Sequence, residues 1–103
     1  MGGGLAGSIR AHQQNGVMPV LSEIKVHSPK DGDLLRGRDP AQLALTMAGA
    51  GIAGLSIVTA GKDFGGDLDL IRRVRRRVDV PLLRKDFTSE LADLDETVEA
   101  GAD

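Results

Sequence analysis

Three apolar segments typical of β-strands are each followed by a segment with the apolar spacing of a helix, and this alternation limits the fold more than any other feature. Repeated strand–helix units form parallel sheets through right-handed crossovers. Pro19 and Pro81 stand at strand entrances, where proline is tolerated. The chain is therefore expected to be an α/β protein whose strands lie within residues 17–26, 55–59 and 80–85.

The helix that follows each strand has a recognisable start. Asp39-Pro40 is an N-cap followed by proline at the first helical position. Asp67 is expected to cap the second helix, and Thr88 or Ser89 the third. The second helix has a predicted buried stripe of Leu70 or Ile71, Val74 and Val78, and the third places Leu91, Leu94 and Val98 on one face.

The remaining segments divide the chain further. Residues 1–16 are predicted to be a leading segment with a helix over 5–14, ended by Asn15-Gly16. Residues 27–38 are rich in turn residues and are predicted to be a long loop. A chain of 103 residues is expected to form one domain at most.

Composition excludes several classes of protein. The sequence has no cysteine, which excludes disulfides, thiolate metal sites and cysteine nucleophiles. His12 and His27 lack partners at metal-ligand spacing, so no metal site is expected. The net charge is −2, and the arginines between residues 72 and 77 are interpreted as a solvated helix face rather than a nucleic-acid interface. No apolar run approaches the ~18 residues of a membrane span, so a cytoplasmic protein without membrane contact is expected.

Charged side chains occur where the first and third strands end. Glu23 and Lys25 are two residues apart and share one strand face, and Lys85 ends the third strand. Ligands of parallel α/β proteins bind at the carboxyl ends of the strands. The three groups are therefore candidates for a shared site with a lysine as general acid. The alternative is that Glu23 and Lys25 face outward on an edge strand or pair with each other.

The two aromatic residues of the chain, Phe64 and Phe87, both fall just after strand ends. As core residues they would be ordinary. Their position at the proposed ligand face also suits a pocket that grips a flat apolar ring.

Several motifs resemble those of a known family. Residues 23–29 resemble the Glu-x-Lys-x-x-Ser-Pro signature of indole-3-glycerol phosphate synthase. The similarity continues, in the same order and at the same spacing, through Asp39-Pro40, residues 55–59, Phe64-Gly65-Gly66 and Pro81-Leu82-Leu83-Arg84-Lys85-Asp86-Phe87. It covers about residue 5 to 103, and the first and last motifs are specific in combination.

The resemblance implies a fold and a set of roles. The family is a (β/α)8 barrel with an extra N-terminal helix, which converts 1-(2-carboxyphenylamino)-1-deoxyribulose 5-phosphate to indole-3-glycerol phosphate in tryptophan biosynthesis. It uses no metal or organic cofactor. Lys85 would be the general acid for ring closure, and Lys25, paired with Glu23, would contact the anthranilate carboxylate and serve in the dehydration. The implied substrate contacts are Ser28, Phe64 and Phe87.

The same resemblance implies that this chain is one partial domain over residues 1–103, truncated before strand 4 of the barrel. Strand-five and strand-six side chains and the phosphate-binding loops of strands seven and eight would be missing. Because binding and catalysis depend on preorganised groups from the far half of the barrel, these residues alone are expected to be inactive.

Two alternatives to this hypothesis are open. One is another ribulose-phosphate barrel such as phosphoribosylanthranilate isomerase, which is disfavoured because that reaction uses a cysteine base. The other is a non-catalytic half-barrel that self-associates through its exposed strand edges.

Overall fold

The computed structural model describes residues 3–103, and its elements follow the predicted order. They are α1 (Gly4–Gln14), β1 (Leu21–Ile24), β2 (His27–Ser28), β3 (Gly32–Asp33), α2 (Pro40–Ala48), β4 (Gly54–Val58), α3 (Leu68–Arg75), β5 (Leu82–Lys85) and α4 (Leu91–Ala100). The prediction of an α/β chain with three strand–helix units is confirmed.

The main sheet has the order β1-β4-β5, and both pairs of strands are parallel. Glu23 lies beside Ser56, and Val58 lies beside Lys85. All three strands therefore end at the same edge of the sheet. The segment predicted as a long loop after β1 instead contains a short antiparallel hairpin, in which β2 pairs with β3.

One face of the sheet forms the core with the helices. Ile24, Leu55, Ile57 and Leu82 are fully buried, each from a strand position that points toward α2 and α3. The predicted stripe of α3 is buried in full, since both Leu70 and Ile71 contribute with Val74 and Val78. On the opposite face, Leu21 and Leu83 remain about half exposed.

Two of the three predicted helix starts are confirmed. The side chain of Asp39 accepts a hydrogen bond from the backbone N–H of Gln42, and that of Asp67 accepts one from Leu70. The predicted cap at Thr88 or Ser89 is wrong, because α4 begins after Glu90. The carboxylate of Asp93 accepts hydrogen bonds from the backbone N–H groups of Ser89 and Glu90, so an acidic side chain inside the first turn does the capping.

Arg75 is an exception to the prediction that the arginines of α3 form a solvated helix face. Its guanidinium donates to the carbonyl oxygens of Gly101, Val78 and Val80 and to the carboxylate of Asp103. The side chain thus satisfies carbonyl groups left over where α3 and α4 end. It is a structural residue that joins the two helix ends to the start of β5.

The helix α1 lies against the amino-terminal end of β4. The hydroxyl of Ser8 donates to the carbonyl of Ala53 at 2.7 Å, and the His12 ring lies 3.0 Å from the carbonyl of Gly51. This end is opposite to the edge where the charged side chains gather. Among the described residues 3–103, no helix combines the length and the apolarity needed to cross a bilayer.

Candidate active site

Strand register brings the charged side chains of β1 and β5 together at the carboxyl edge of the sheet. Alternate residues of a strand point to opposite faces. Glu23, Ser56 and Lys85 therefore all project from the face opposite the helices. Ser56 and Val58, from the central strand, separate the charged groups of the two outer strands.

An ion pair spans this edge of the sheet. The Nζ of Lys85 lies 3.0 Å from Oε1 of Glu23, and the hydroxyl of Ser56 donates to the same oxygen at 3.2 Å. Glu23 makes its ion pair with Lys85, 62 residues away in the chain, and not with Lys25. The carboxylate thus holds the lysine amine at a fixed position although 60% of the Lys85 side chain is exposed.

Lys25 faces Lys85 across a small cavity. Its Nζ is 5.9 Å from the centre of the Phe64 ring, within the range of a cation–π contact. A cavity of about 250 Å³ separates the two lysines, and its lining consists of Lys25, Val58, Ala60, Phe64, Lys85, Asp86 and Phe87. Two lysine side chains and two aromatic rings thus border one space together with the Asp86 carboxylate, and such lysines and rings can contact an anionic group on a flat ring.

The predicted site residues are not all placed in this cavity. Ser28 is buried in β2, where its hydroxyl accepts a hydrogen bond from the backbone N–H of Asp31 and closes a turn. It is not part of the cavity lining. Phe87 does line the cavity, but its side chain is 82% exposed.

The loop between β4 and α3 carries Phe64 and is tied to the start of β2. The Nδ1 of His27 lies 2.8 Å from the carbonyl oxygen of Asp63. Gly65 has a positive φ of 62° and packs close to the His27 side chain. These contacts hold the Phe64 ring under the amine of Lys25.

Asp86 lines the candidate site, although the sequence suggested no role for it beyond its place in the motif of residues 81–87. Its carboxylate accepts hydrogen bonds from the Thr59 hydroxyl at 2.7 Å, the Phe87 backbone N–H at 2.7 Å and the Arg84 guanidinium at 3.2 Å. Burial raises the pKa of Asp86, but these hydrogen bonds and the Arg84 charge outweigh burial and leave the pKa below its usual value. The carboxylate is therefore ionised at neutral pH.

Comparisons with known proteins identify the family of this chain. The family model described as indole-3-glycerol phosphate synthase matches residues 4–103. The chain belongs to this family. A relative with that name from Pyrococcus furiosus is 41% identical over 99 residues, which are 96% of this chain and 42% of the relative. One from a Nocardioides species is 45% identical over 84 residues, 82% of this chain and 32% of the relative.

A third relative is a longer protein than the first two. The tryptophan biosynthesis protein TrpCD of Archaeoglobus fulgidus is 34% identical over 96% of this chain, which corresponds to 18% of that protein. The chain therefore spans less than half the length of each of these relatives. The family and the partial-barrel fold implied by the sequence motifs are confirmed, and the parallel sheet with helices on one face is the portion of such a barrel present here.

Proposed function

We propose that this chain carries the part of an indole-3-glycerol phosphate synthase active site that belongs to the first three barrel strands. The reaction is carried out by a carbon–carbon lyase, which closes the indole ring of 1-(2-carboxyphenylamino)-1-deoxyribulose 5-phosphate with loss of CO2 and water. The observation that carries the proposal is the Glu23–Lys85 ion pair facing Lys25 across one cavity.

Lys85 is proposed as the general acid of ring closure. The ring carbon that bears the carboxylate bonds to the substrate carbonyl carbon, and the carbonyl oxygen needs a proton as this bond forms. An ammonium group held by Glu23 at 3.0 Å and open to the cavity is suited to donate that proton. Loss of CO2 then restores the aromatic ring.

Lys25 is proposed to bind the anthranilate carboxylate and to serve as acid when the new hydroxyl leaves as water. A fixed ammonium beside an aromatic ring attracts a carboxylate on a flat ring system. Phe64 and Phe87 would contact the two faces or the edge of that ring. Ser28 would make its proposed substrate contact as a donor, because a hydroxyl that accepts a hydrogen bond from the backbone N–H of Asp31 still has its own proton to donate.

The remaining expectations follow from the same proposal. The substrate is a phosphorylated small molecule, and no metal or organic cofactor enters the reaction. A phosphorylated substrate does not cross a bilayer, because charge is costly to bury in hydrocarbon, and this supports a cytoplasmic enzyme. Residues 1–103 are proposed to be one partial domain with a leading segment of residues 1–16. The helix of that segment, α1, lies against the end of the sheet remote from the cavity.

The proposal is tested in a chimera in which this chain replaces the 99 matched residues of the Pyrococcus furiosus relative. We expect the folded chimera to convert the substrate to indole-3-glycerol phosphate, measured by the fluorescence of the indole product. The 103-residue chain alone is expected to give no detectable turnover, since its cavity is open to water where Lys85 and Phe87 are exposed. A folded chimera without product would contradict the proposal.

We also propose that the isolated chain self-associates with a second copy of itself. Within the part of the chain that the structure describes, the sheet order leaves one edge of β1 and one edge of β5 without a strand partner, and unpaired edges recruit other strands. Exposed apolar side chains lie on β5 and on the helix that follows it, namely Leu83 on the strand and Leu91, Leu94 and Val98 on α4.

Light scattering at increasing concentration tests this second proposal. A dimer with a cooperative thermal transition is the expected result, and Leu91→Gln/Val98→Gln is expected to shift it toward monomer. Val17→Gln, at a half-exposed apolar position outside both strand edges, is the matched control and should leave the dimer intact. A monomer at all concentrations would refute self-association without bearing on the lyase proposal.

A further inference from the structure

Lys85 is flanked in sequence by two residues that are paired with each other. Arg84 and Asp86 occupy positions on either side of Lys85, and their side chains form an ion pair at 3.2 Å. Only 11% of the Arg84 side chain and 18% of the Asp86 side chain are exposed. Residues two apart in a strand share one face. The pair therefore lies on the helix side of β5 and holds the backbone of Lys85 from behind.

Thr59 connects this pair to the central strand. Its hydroxyl donates to Asp86 at 2.7 Å and accepts from the Nε of Arg84 at 3.1 Å. Its backbone N–H donates to the carbonyl oxygen of Lys85 at 3.0 Å. Thr59 is buried, so these bonds are shielded from water. One residue thus fixes both the peptide of Lys85 and the carboxylate that follows it.

Arg84 extends the same network to the helix layer. Its Nη1 donates to the hydroxyl of Thr97 at 2.6 Å and to the carbonyl oxygen of Asp93 at 3.1 Å, both on α4. The end of β5 is therefore anchored to β4 on one side and to α4 on the other.

Both carboxylate oxygens of Asp86 are engaged in hydrogen bonds within the protein. Oδ2 accepts from Thr59 and Arg84, and Oδ1 accepts from the backbone N–H of Phe87. Although Asp86 lines the cavity, its bonds point back into the protein. Among residues 3–103, by contrast, the Lys85 amine has only the Glu23 carboxylate as a hydrogen-bond partner. The direction in which the Lys85 side chain projects from β5 therefore depends on the position of the Lys85 backbone.

We propose that Asp86 is a positioning residue for Lys85: through its bonds to Thr59 and Arg84 it fixes the backbone at the end of β5 so that the lysine amine meets Glu23 beside the cavity. This inference rests on the proposed function, because it assigns Asp86 to the reaction only through Lys85. The same carboxylate also accepts a hydrogen bond from the backbone N–H of Phe87, and it thereby helps to position a second residue that lines the cavity.

The test compares Asp86→Ala and Asp86→Asn in the chimera. We expect Asp86→Ala to lower kcat at least tenfold with KM changed less than threefold, because the acid is misplaced while the binding groups remain. Asp86→Asn keeps an acceptor for Thr59 and is expected to recover part of the lost kcat. Asp69→Ala, an exposed aspartate on α3, is the matched control and should leave both constants within twofold.

The outcomes separate this inference from the proposed function. If Asp86→Ala leaves kcat within twofold of the parent, or if its kcat loss only follows a loss of folded protein and Asp86→Asn recovers none of it, the positioning role is refuted. Either result leaves the lyase proposal standing, provided that the parent chimera is active. An inactive, folded parent chimera would instead refute the lyase proposal, and the assignment of Asp86 with it.

Discussion

Lys85→Ala in the chimera is expected to lower kcat for indole-3-glycerol phosphate formation by about 100-fold or more, with a smaller change in KM. General acid catalysis by a positioned side chain contributes on the order of 10²–10⁴-fold. A 100-fold loss corresponds to about 2.7 kcal/mol of barrier. The physical reason is the loss of the ammonium group that Glu23 holds 3.0 Å away beside the cavity. Steady-state kinetics with the indole product as readout measures both constants.

The control for this prediction is Lys62→Ala. Lys62 is an exposed lysine in the loop after β4 and is not part of the cavity lining, so its loss should leave turnover within about twofold. Thermal denaturation of both variants checks that they are folded. If Lys85→Ala retained turnover within about tenfold of the parent, the general-acid role of Lys85 would be wrong.

Gly66→Ala is expected to destabilise the protein by about 2–3 kcal/mol, the upper part of the range for overpacking. A Cβ at this position would lie 2.3 Å from the carbonyl oxygen of Val58 and 2.9 Å from the Cα of Thr59, and both are backbone atoms that cannot turn aside. The loop must therefore move, and with it Phe64. Urea unfolding of the parent and variant chimeras measures the difference in free energy.

Gly49→Ala is the matched glycine control. Gly49 has a right-handed helical conformation at the end of α2, and an added Cβ would meet its nearest atoms at 3.5 Å and 3.6 Å, which is ordinary contact. Its substitution should change the free energy of unfolding by less than about 1 kcal/mol. Equal destabilisation by the two substitutions would contradict the steric argument for Gly66.

Local chemistry explains where sequence reasoning succeeded on the fold. Asp39 and Asp67 are short side chains directly before an apolar helical pattern, and an N-cap needs only its own backbone and the next turn. The prediction of an N-cap at Thr88 or Ser89 was wrong for a reason that is also local. Several capping side chains follow one another there, and the carboxylate of Asp93 accepts hydrogen bonds from the backbone N–H groups of Ser89 and Glu90, so the helix begins later, with Glu90 as its N-cap.

The arginines of α3 show that residue spacing along a helix is insufficient to predict which charged side chains have a structural role. Arg73 lies at the surface and pairs with Asp39, as a solvated helix face predicts. Arg75 bonds instead to three carbonyl groups and Asp103. Those acceptors become neighbours only when α3, α4 and β5 have packed, so helical periodicity does not distinguish the two arginines.

For the candidate site, the sequence alone determined which residue types stand at the strand ends and which family motifs they form. A period of two placed Glu23 and Lys25 on one face, and the alternation of strands and helices implied that the ends of parallel strands meet. The pairing of Glu23 with Lys85 across Ser56, and the enclosure of Asp86 by Thr59 and Arg84, were decided by the tertiary structure alone. Strand order and register bring together side chains far apart in the chain, and these depend on packing against the shared core rather than on any local pattern.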